Sequence, residues 1–207
     1  MTAKYWDTTH YHNYPWIKVA SAYWKRYPNP NSKHVFSEDF IEQDLRSDGK
    51  LYTKRFISKT NSLPSWGEHF FRTRFVPLTE EAVIDPKAKT LTTYTRNIGD
   101  LRFWMGVTET VVFRQDPDDP NRTVVEKQAW IESEMYGFRS AIKKFGIDRF
   151  KKNSLRATEG FDWVLNRRYS PSSSAAANSN LGHASAKTNS GPKIRLTFAN
   201  NSKVEDL

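Results

Sequence analysis

Arg149, Asn153 and Arg156 stand at i, i+4 and i+7, so a helix through them carries two guanidinium groups and a carboxamide on one stripe. Arginine binds phosphate and carboxylate bidentately, so the stripe suits an anion; the alternative is a solvated basic face. Upstream, strand periodicity over residues 51–59 puts Arg55 and Lys59 on one face with Leu51, Thr53 and Ile57. Arg26 closes a predicted helix, where it either favours the helix dipole or is held towards an anion by the rigid Tyr27-Pro28-Asn29-Pro30 run behind it. Histidines are few. His10 and His12 share a strand face and with a carboxylate can bind a metal, but no third ligand is assured, and two half-exposed polar residues is the plainer reading. Gly-x-Ser-x-Gly, His-Glu-x-x-His, Gly-x-x-x-x-Gly-Lys and Gly-x-Gly-x-x-Gly are absent, which disfavours an enzyme built on a familiar motif.

These residues belong to a basic, aromatic-rich chain. Of 207 residues, 32 are Lys or Arg and 23 are Asp or Glu; the formal net charge is +9, of which +7 falls on residues 1–169. Aromatics make up 14% of the chain, enough to fill a core although the apolar share is 37%. The lack of cysteine excludes disulfides, thiol catalysis and cysteine-ligated metals. No run of 18 apolar residues could form a membrane-spanning helix. The opening stretch, with two aromatics by Trp6 and no apolar h-region, reads as neither a secretory signal nor an Arg-rich transit peptide. Basic charge with aromatics also suits nucleic acid, but the aromatics fall mostly at core periods and no RNA-recognition consensus is present, so that reading is a distant alternative.

The elements that must position the cations follow from periodicity and turn residues. A strand is predicted over residues 4–12, then a helix with Pro15 in its first turn and Trp16, Val19, Ala20 and Tyr23 at helical spacing up to Arg26. Strands are predicted over 34–45, 51–59, 74–85, 89–97, 101–115 and 123–134, separated by Asp-, Gly- and Pro-rich turns. Residues 61–73 are predicted to be a loop that holds Leu63, Pro64, Trp66, Phe70 and Phe71. From Gly137 to about Arg168 a long helix is predicted, weakened locally by Gly146 and Gly160. Runs of strands with helices at both ends indicate an α+β domain, one antiparallel sheet curved around helices. After Tyr169 small polar residues replace the aromatic pattern, giving a domain over residues 1–169 and a flexible Ser/Asn-rich tail over 170–207.

At Arg26-Tyr27-Pro28-Asn29-Pro30, followed by Ser32-Lys33-His34-Val35, the sequence closely resembles the PRELI domain family. The likeness continues in order through Lys59-Thr60-Asn61, Leu63-Pro64-Ser65-Trp66, Val83-Ile84-Asp85-Pro86, Thr93-Tyr94-Thr95-Arg96-Asn97 and Phe145-Gly146-Ile147-Asp148-Arg149-Phe150-Lys151, and covers roughly residues 5–168. The resemblance implies a curved antiparallel sheet wrapped around a long C-terminal helix, with a short helix after the first strand and a lid loop. It implies a phospholipid carrier of the mitochondrial intermembrane space, not an enzyme, with no cofactor beyond its lipid cargo. It also implies a small helical-hairpin partner protein with twin Cys-x9-Cys motifs.

The motif forms look most like the branch that moves phosphatidic acid towards cardiolipin synthesis; a phosphatidylserine carrier of the same fold, a lipid sensor that does not transfer and a nucleic-acid-binding module stand as alternatives. Carried over residue by residue, the lipid-phosphate contacts fall on Arg26, His34, Arg55, Lys59, Arg149, Asn153 and Arg156. Some relatives have lysine where Arg149 and Arg156 stand. Leu63, Pro64, Trp66, Phe70 and Phe71 correspond to a lid that meets an anionic membrane surface. The cations converge only if the long helix lies across the sheet face that carries Arg55 and Lys59. On this reading Arg26→Glu abolishes transfer and spares the fold.

Overall fold

A computed structural model describes residues 3–60 and 75–170. The expected lid residues Leu63, Pro64, Trp66, Phe70 and Phe71 and the tail from Pro171 onward lie outside the described residues. Among the described residues the strands form one curved, seven-stranded antiparallel sheet. Its strands are β1 (Lys4–His12), β2 (Val35–Leu45), β3 (Leu51–Thr60), β4 (Phe75–Asp85), β5 (Thr90–Asn97), β6 (Gly106–Gln115) and β7 (Thr123–Glu132). Their order across the sheet is β1-β7-β6-β5-β4-β3-β2, so the chain steps to a neighbouring strand at every turn except the one that leaves β1. That exception is the passage of α1 (Trp16–Tyr23) from one edge of the sheet to the other.

Period-two alternation decides which side chains lie beneath the helices. In β5 Leu91, Thr93, Thr95 and Asn97 are buried, and in β7 Val125, Lys127, Ala129 and Ile131. On this face α1 packs with the long helix α3 (Arg139–Tyr169). Trp16, Val19, Ala20 and Tyr23 of α1 join Phe161, Val164 and Leu165 of α3 over Leu91, Val111, Phe113 and Val125. With 31 residues α3 extends about 46 Å, far enough to cross the whole sheet.

Three local features differ from the sequence expectation. Residues 101–104, expected within a strand, form the helical turn α2 (Leu101–Trp104), and Gly106 begins β6. Asn97 holds this turn in place: its amide Nδ2 donates to the Met105 carbonyl at 2.9 Å and its Oδ1 accepts from the Val107 backbone N–H at 2.7 Å. Gly146 and Gly160, expected as weak points of the long helix, are instead points of close approach. A Cβ on Gly146 would stand 2.7 Å from Ile131 Cγ2 and 2.8 Å from Met105 Sδ, and one on Gly160 would collide with Asn29 Oδ1. The proline run after α1, with its cis Tyr27–Pro28 bond, thus docks directly on α3. Asn29 braces it through Nδ2 to the Arg26 carbonyl at 2.7 Å.

Candidate functional site

The first half of α3 stands over a hollow. A cavity of about 510 Å³ lies between it and the sheet, within the roughly 300–1,000 Å³ usual for ligand pockets. Along the helix the lining passes from Phe138, Ala141, Ile142 and Phe145 to Arg149 and Asn153. Val76, Leu78 and Val107 of the sheet and Leu101 and Trp104 of α2 complete the apolar part. His34, Lys59, Tyr27 and Glu109 add to the polar part. His34 is brought there by the end of β3, where the Thr60 backbone N–H donates to the His34 carbonyl at 2.7 Å.

Four of the seven residues expected at a lipid phosphate, His34, Lys59, Arg149 and Asn153, therefore line one cavity. Burial, then the nearby charges of Lys59, Arg149 and Arg156, together lower the His34 pKa to about 4, so His34 is neutral at physiological pH. It supplies a hydrogen bond there and no charge. Burial also lowers the Arg149 pKa. For Tyr27, burial alone would raise the pKa, but Lys59 and then Arg26 outweigh it and hold the phenol below its ordinary value. Arg156 is exposed and is not among the lining residues, yet it lies within electrostatic reach of His34.

Arg26 and Arg55 occupy a different position. Glu80 sits directly opposite Arg55 in the β3–β4 register and takes both guanidiniums. Arg26 Nη2 meets Glu80 Oε2 at 2.6 Å, and Arg55 Nη2 donates to Glu80 Oε1. Arg55 Nη1 is bound by Glu38 Oε2 at 2.7 Å, and the Arg55 side chain is 1% exposed. Burial pushes the Glu80 carboxyl up, but Arg26 and Arg55 overcome this and hold it below the usual carboxylate range. Arg26 also stacks on Tyr23, with Cζ 3.9 Å from the ring centroid. These two arginines are already neutralised by protein carboxylates. Arg55 lines neither this cavity nor the smaller one behind it, and Arg26 lines only the smaller. The expectation that Arg26→Glu spares the fold is therefore corrected: the new carboxylate would face Glu80 in a buried site.

The smaller cavity, about 100 Å³, adjoins the first through Tyr27, Lys59, Thr95, Glu109 and Ala157. A cross-strand row runs through this region: Arg55 opposite Glu80, Glu80 opposite Thr95, Thr95 opposite Glu109. Sequence reasoning missed Tyr27, Glu80, Glu109 and Lys127. A signal for three of them existed, because each interrupts an apolar alternation: Leu78-Glu80-Ala82, Val107-Glu109-Val111 and Val125-Lys127-Ala129. His10 and His12 serve other ends. His12 is buried, with Nδ1 2.6 Å from Asp162 Oδ1, and among the described residues no cluster of three metal-ligating side chains occurs.

The chain is 42% identical over 156 residues to PRELI domain-containing protein 1, mitochondrial, of Gallus gallus, covering 74% of this chain and 72% of the relative. It is 31% identical over 173 residues to Protein ups1 homolog of Schizosaccharomyces pombe, covering 83% of this chain and all of the relative. The Zhui aromatase/cyclase from Streptomyces sp. R1128 superposes with a TM-score of 0.54 at 12% identity, over 82% of this chain and 98% of that one, a likeness of fold alone. The model of the PRELI-like family matches residues 18–171, and with relatives of this identity and coverage the chain belongs to the PRELI-like family.

Proposed function

We propose that the chain is a phospholipid carrier that binds phosphatidic acid and moves it between mitochondrial membranes across the intermembrane space, supporting cardiolipin synthesis. The observation that carries this reading is the polarity gradient of the large cavity: an apolar wall of Phe138, Ile142, Leu78 and Trp104 leads to Lys59, Arg149, Asn153 and neutral His34. An acyl chain against the apolar part gains about 0.8 kcal/mol per buried methylene. A phosphate at the other end meets two cations not consumed by the Glu80 pairs, a carboxamide and the Tyr27 phenol. Family membership supports lipid carriage, and the word mitochondrial in the relative's name supports the location. The partner in this reading is a small twin Cys-x9-Cys helical-hairpin protein. The cargo leaves unchanged, because the roles assigned to these residues are binding roles.

A transfer assay between two vesicle populations tests the proposal. Labelled phosphatidic acid should move from donor to acceptor vesicles faster with the protein than without it, chemically unchanged and faster than phosphatidylserine. No acceleration for any phospholipid, or recovery of a modified lipid, would contradict the reading.

A further inference from the structure

Lys127 stands on the core face of β7, between Val125 and Ala129, and is 7% exposed. Its ammonium has three donors. One goes to Thr158 Oγ1 at 2.9 Å and one to Ser154 Oγ at 3.3 Å, both on α3 and both neutral. No carboxylate pairs with it among the described residues, and Lys127 lines the small cavity behind the polar end of the large one. A buried ammonium without a counter-ion is costly and needs a reason.

The surrounding charges leave that need unmet. Arg26, Lys59 and Lys127 line the small cavity against Glu80 and Glu109. Glu80 is taken by Arg26 and Arg55, so Glu109 is the one lining carboxylate left against Lys59 and Lys127; Asp162 acts on Lys127 from outside the cavity and is itself bound to His12. His10, whose Nε2 is 3.5 Å from Thr158 Oγ1, adds no charge: burial, Lys127 and His12 bring its pKa down to about 3. Beyond the polar groups the cavity is closed by Ile57, Val111, Phe113 and Phe161.

The geometry points to Lys127, oriented by Ser154 and Thr158, as a further phosphate-binding residue: its remaining N–H donates to an oxygen of an unsubstituted phosphate held at Lys59, where the two cavities meet. This rests on the carrier reading and sharpens it. A terminal phosphate monoester presents free oxygens to Lys127. A diester headgroup must instead bring its alcohol into a volume of about 100 Å³ backed by apolar side chains, which strands its polar groups. Discrimination between phosphatidic acid and other anionic lipids then resides at this inner wall. Free inorganic phosphate shares the chemistry and is the second source to be separated.

The test uses the full chain and Lys127→Met, which keeps an unbranched side chain one atom shorter and removes the buried charge. Inorganic phosphate is titrated with thermal melting as the readout. Binding is then measured to phosphatidylcholine vesicles carrying either phosphatidic acid or phosphatidylglycerol. The wild type should gain melting temperature with phosphate and prefer phosphatidic acid. Lys127→Met should weaken phosphate and phosphatidic acid about tenfold or more and phosphatidylglycerol much less. Equal affinities of the two proteins would overturn the assignment. As a check independent of the variant's folding, selectively 13C-labelled lysine in the wild type should show the Lys127 ε-carbon shifting with phosphate; an unmoved signal also overturns it. Phosphate binding through Lys127 without any lipid transfer would sink the carrier reading and leave a free-phosphate site. Transfer of phosphatidic acid unaltered by Lys127→Met would do the opposite.

Discussion

Over its last turns α3 is packed, Phe161, Val164 and Leu165 meeting Trp16, Val19 and Tyr23 of α1 and the sheet with only the cavity of about 100 Å³ beside Ala157 and Thr158, whereas over its first half it roofs a cavity of about 510 Å³. The same contrast holds for the charges. Arg26 and Arg55 are locked onto Glu80 and Glu38, while Lys59 and Arg149 line the hollow without being part of that group. One helix on one sheet thus serves two ends. Cations close together in the chain thus differ in their counter-ions: Arg55, four residues from Lys59, and Arg26, one turn past α1, are each paired with a protein carboxylate.

The largest effect should come from breaking the packed side. Glu80→Gln leaves two buried guanidiniums without their shared carboxylate and should cost about 3–5 kcal/mol of stability. Arg26→Glu should lower the denaturation midpoint as well, since it removes one counter-ion and adds a second carboxylate. Urea denaturation of both variants measures this, and a wild-type midpoint in either would show the ion-pair core to be unimportant for folding. Leu165→Ala, at a fully buried position, should cost about 2–5 kcal/mol. Phe138→Ala, 59% exposed on the cavity wall, should stay within about 0.5 kcal/mol. Equal losses at these two positions would erase the distinction between solid and hollow halves.

That distinction was only partly legible in the sequence. Helical and strand periodicities indicate both the elements and the shared face of Arg55 and Lys59, because alternation depends on neighbours along the chain. Glu80 was not legible as the partner of Arg26 and Arg55. Its role arises from the β3–β4 register and from the docking of the Arg26 turn at Gly160, both of which join residues far apart in sequence. The i, i+4, i+7 stripe likewise places Arg149 and Asn153 on one side of a helix, yet Arg156 is exposed, because the lining face continues through Asn153, Ser154 and Ala157 and leaves Arg156 on its flank. Residues 101–104 read as strand because their apolar run carries no breaker; Asn97, acting across the turn, selects the helical form. Lys127 was countable as a cation, but its isolation from carboxylates emerges only when β7 and α3 are brought together.

Smaller effects sharpen the hollow side. Lys59→Ala and Arg149→Ala should each lose about 1.5–3 kcal/mol of phosphatidic acid binding, roughly 10- to 100-fold, with a much smaller change in melting temperature than Glu80→Gln. Vesicle flotation beside thermal melts separates the two, and a large loss of stability with unaltered binding would reverse the assignment. The smallest effect concerns pH. Folded His34 protonates at about 4 rather than the ordinary 6.5, so between those values the unfolded chain holds more protons. Its contribution to stability is therefore full above about pH 6.5 and is lost as pH falls towards 4. His34→Gln should flatten that part of the profile in melts recorded from about pH 7 to about pH 4; an unchanged slope would show His34 to be solvated.

The central claim is that the hollow half of α3 covers a lipid with its phosphate at Lys59, Arg149 and Asn153. Mass spectrometry of lipid extracted from the purified protein, wild type beside a Lys59→Ala/Arg149→Ala double variant, tests it most directly. The wild type should carry phosphatidic acid at near one molecule per chain, and the variant should be strongly depleted of it. A neutral lipid in both, or the same amount of phosphatidic acid in both, would contradict it.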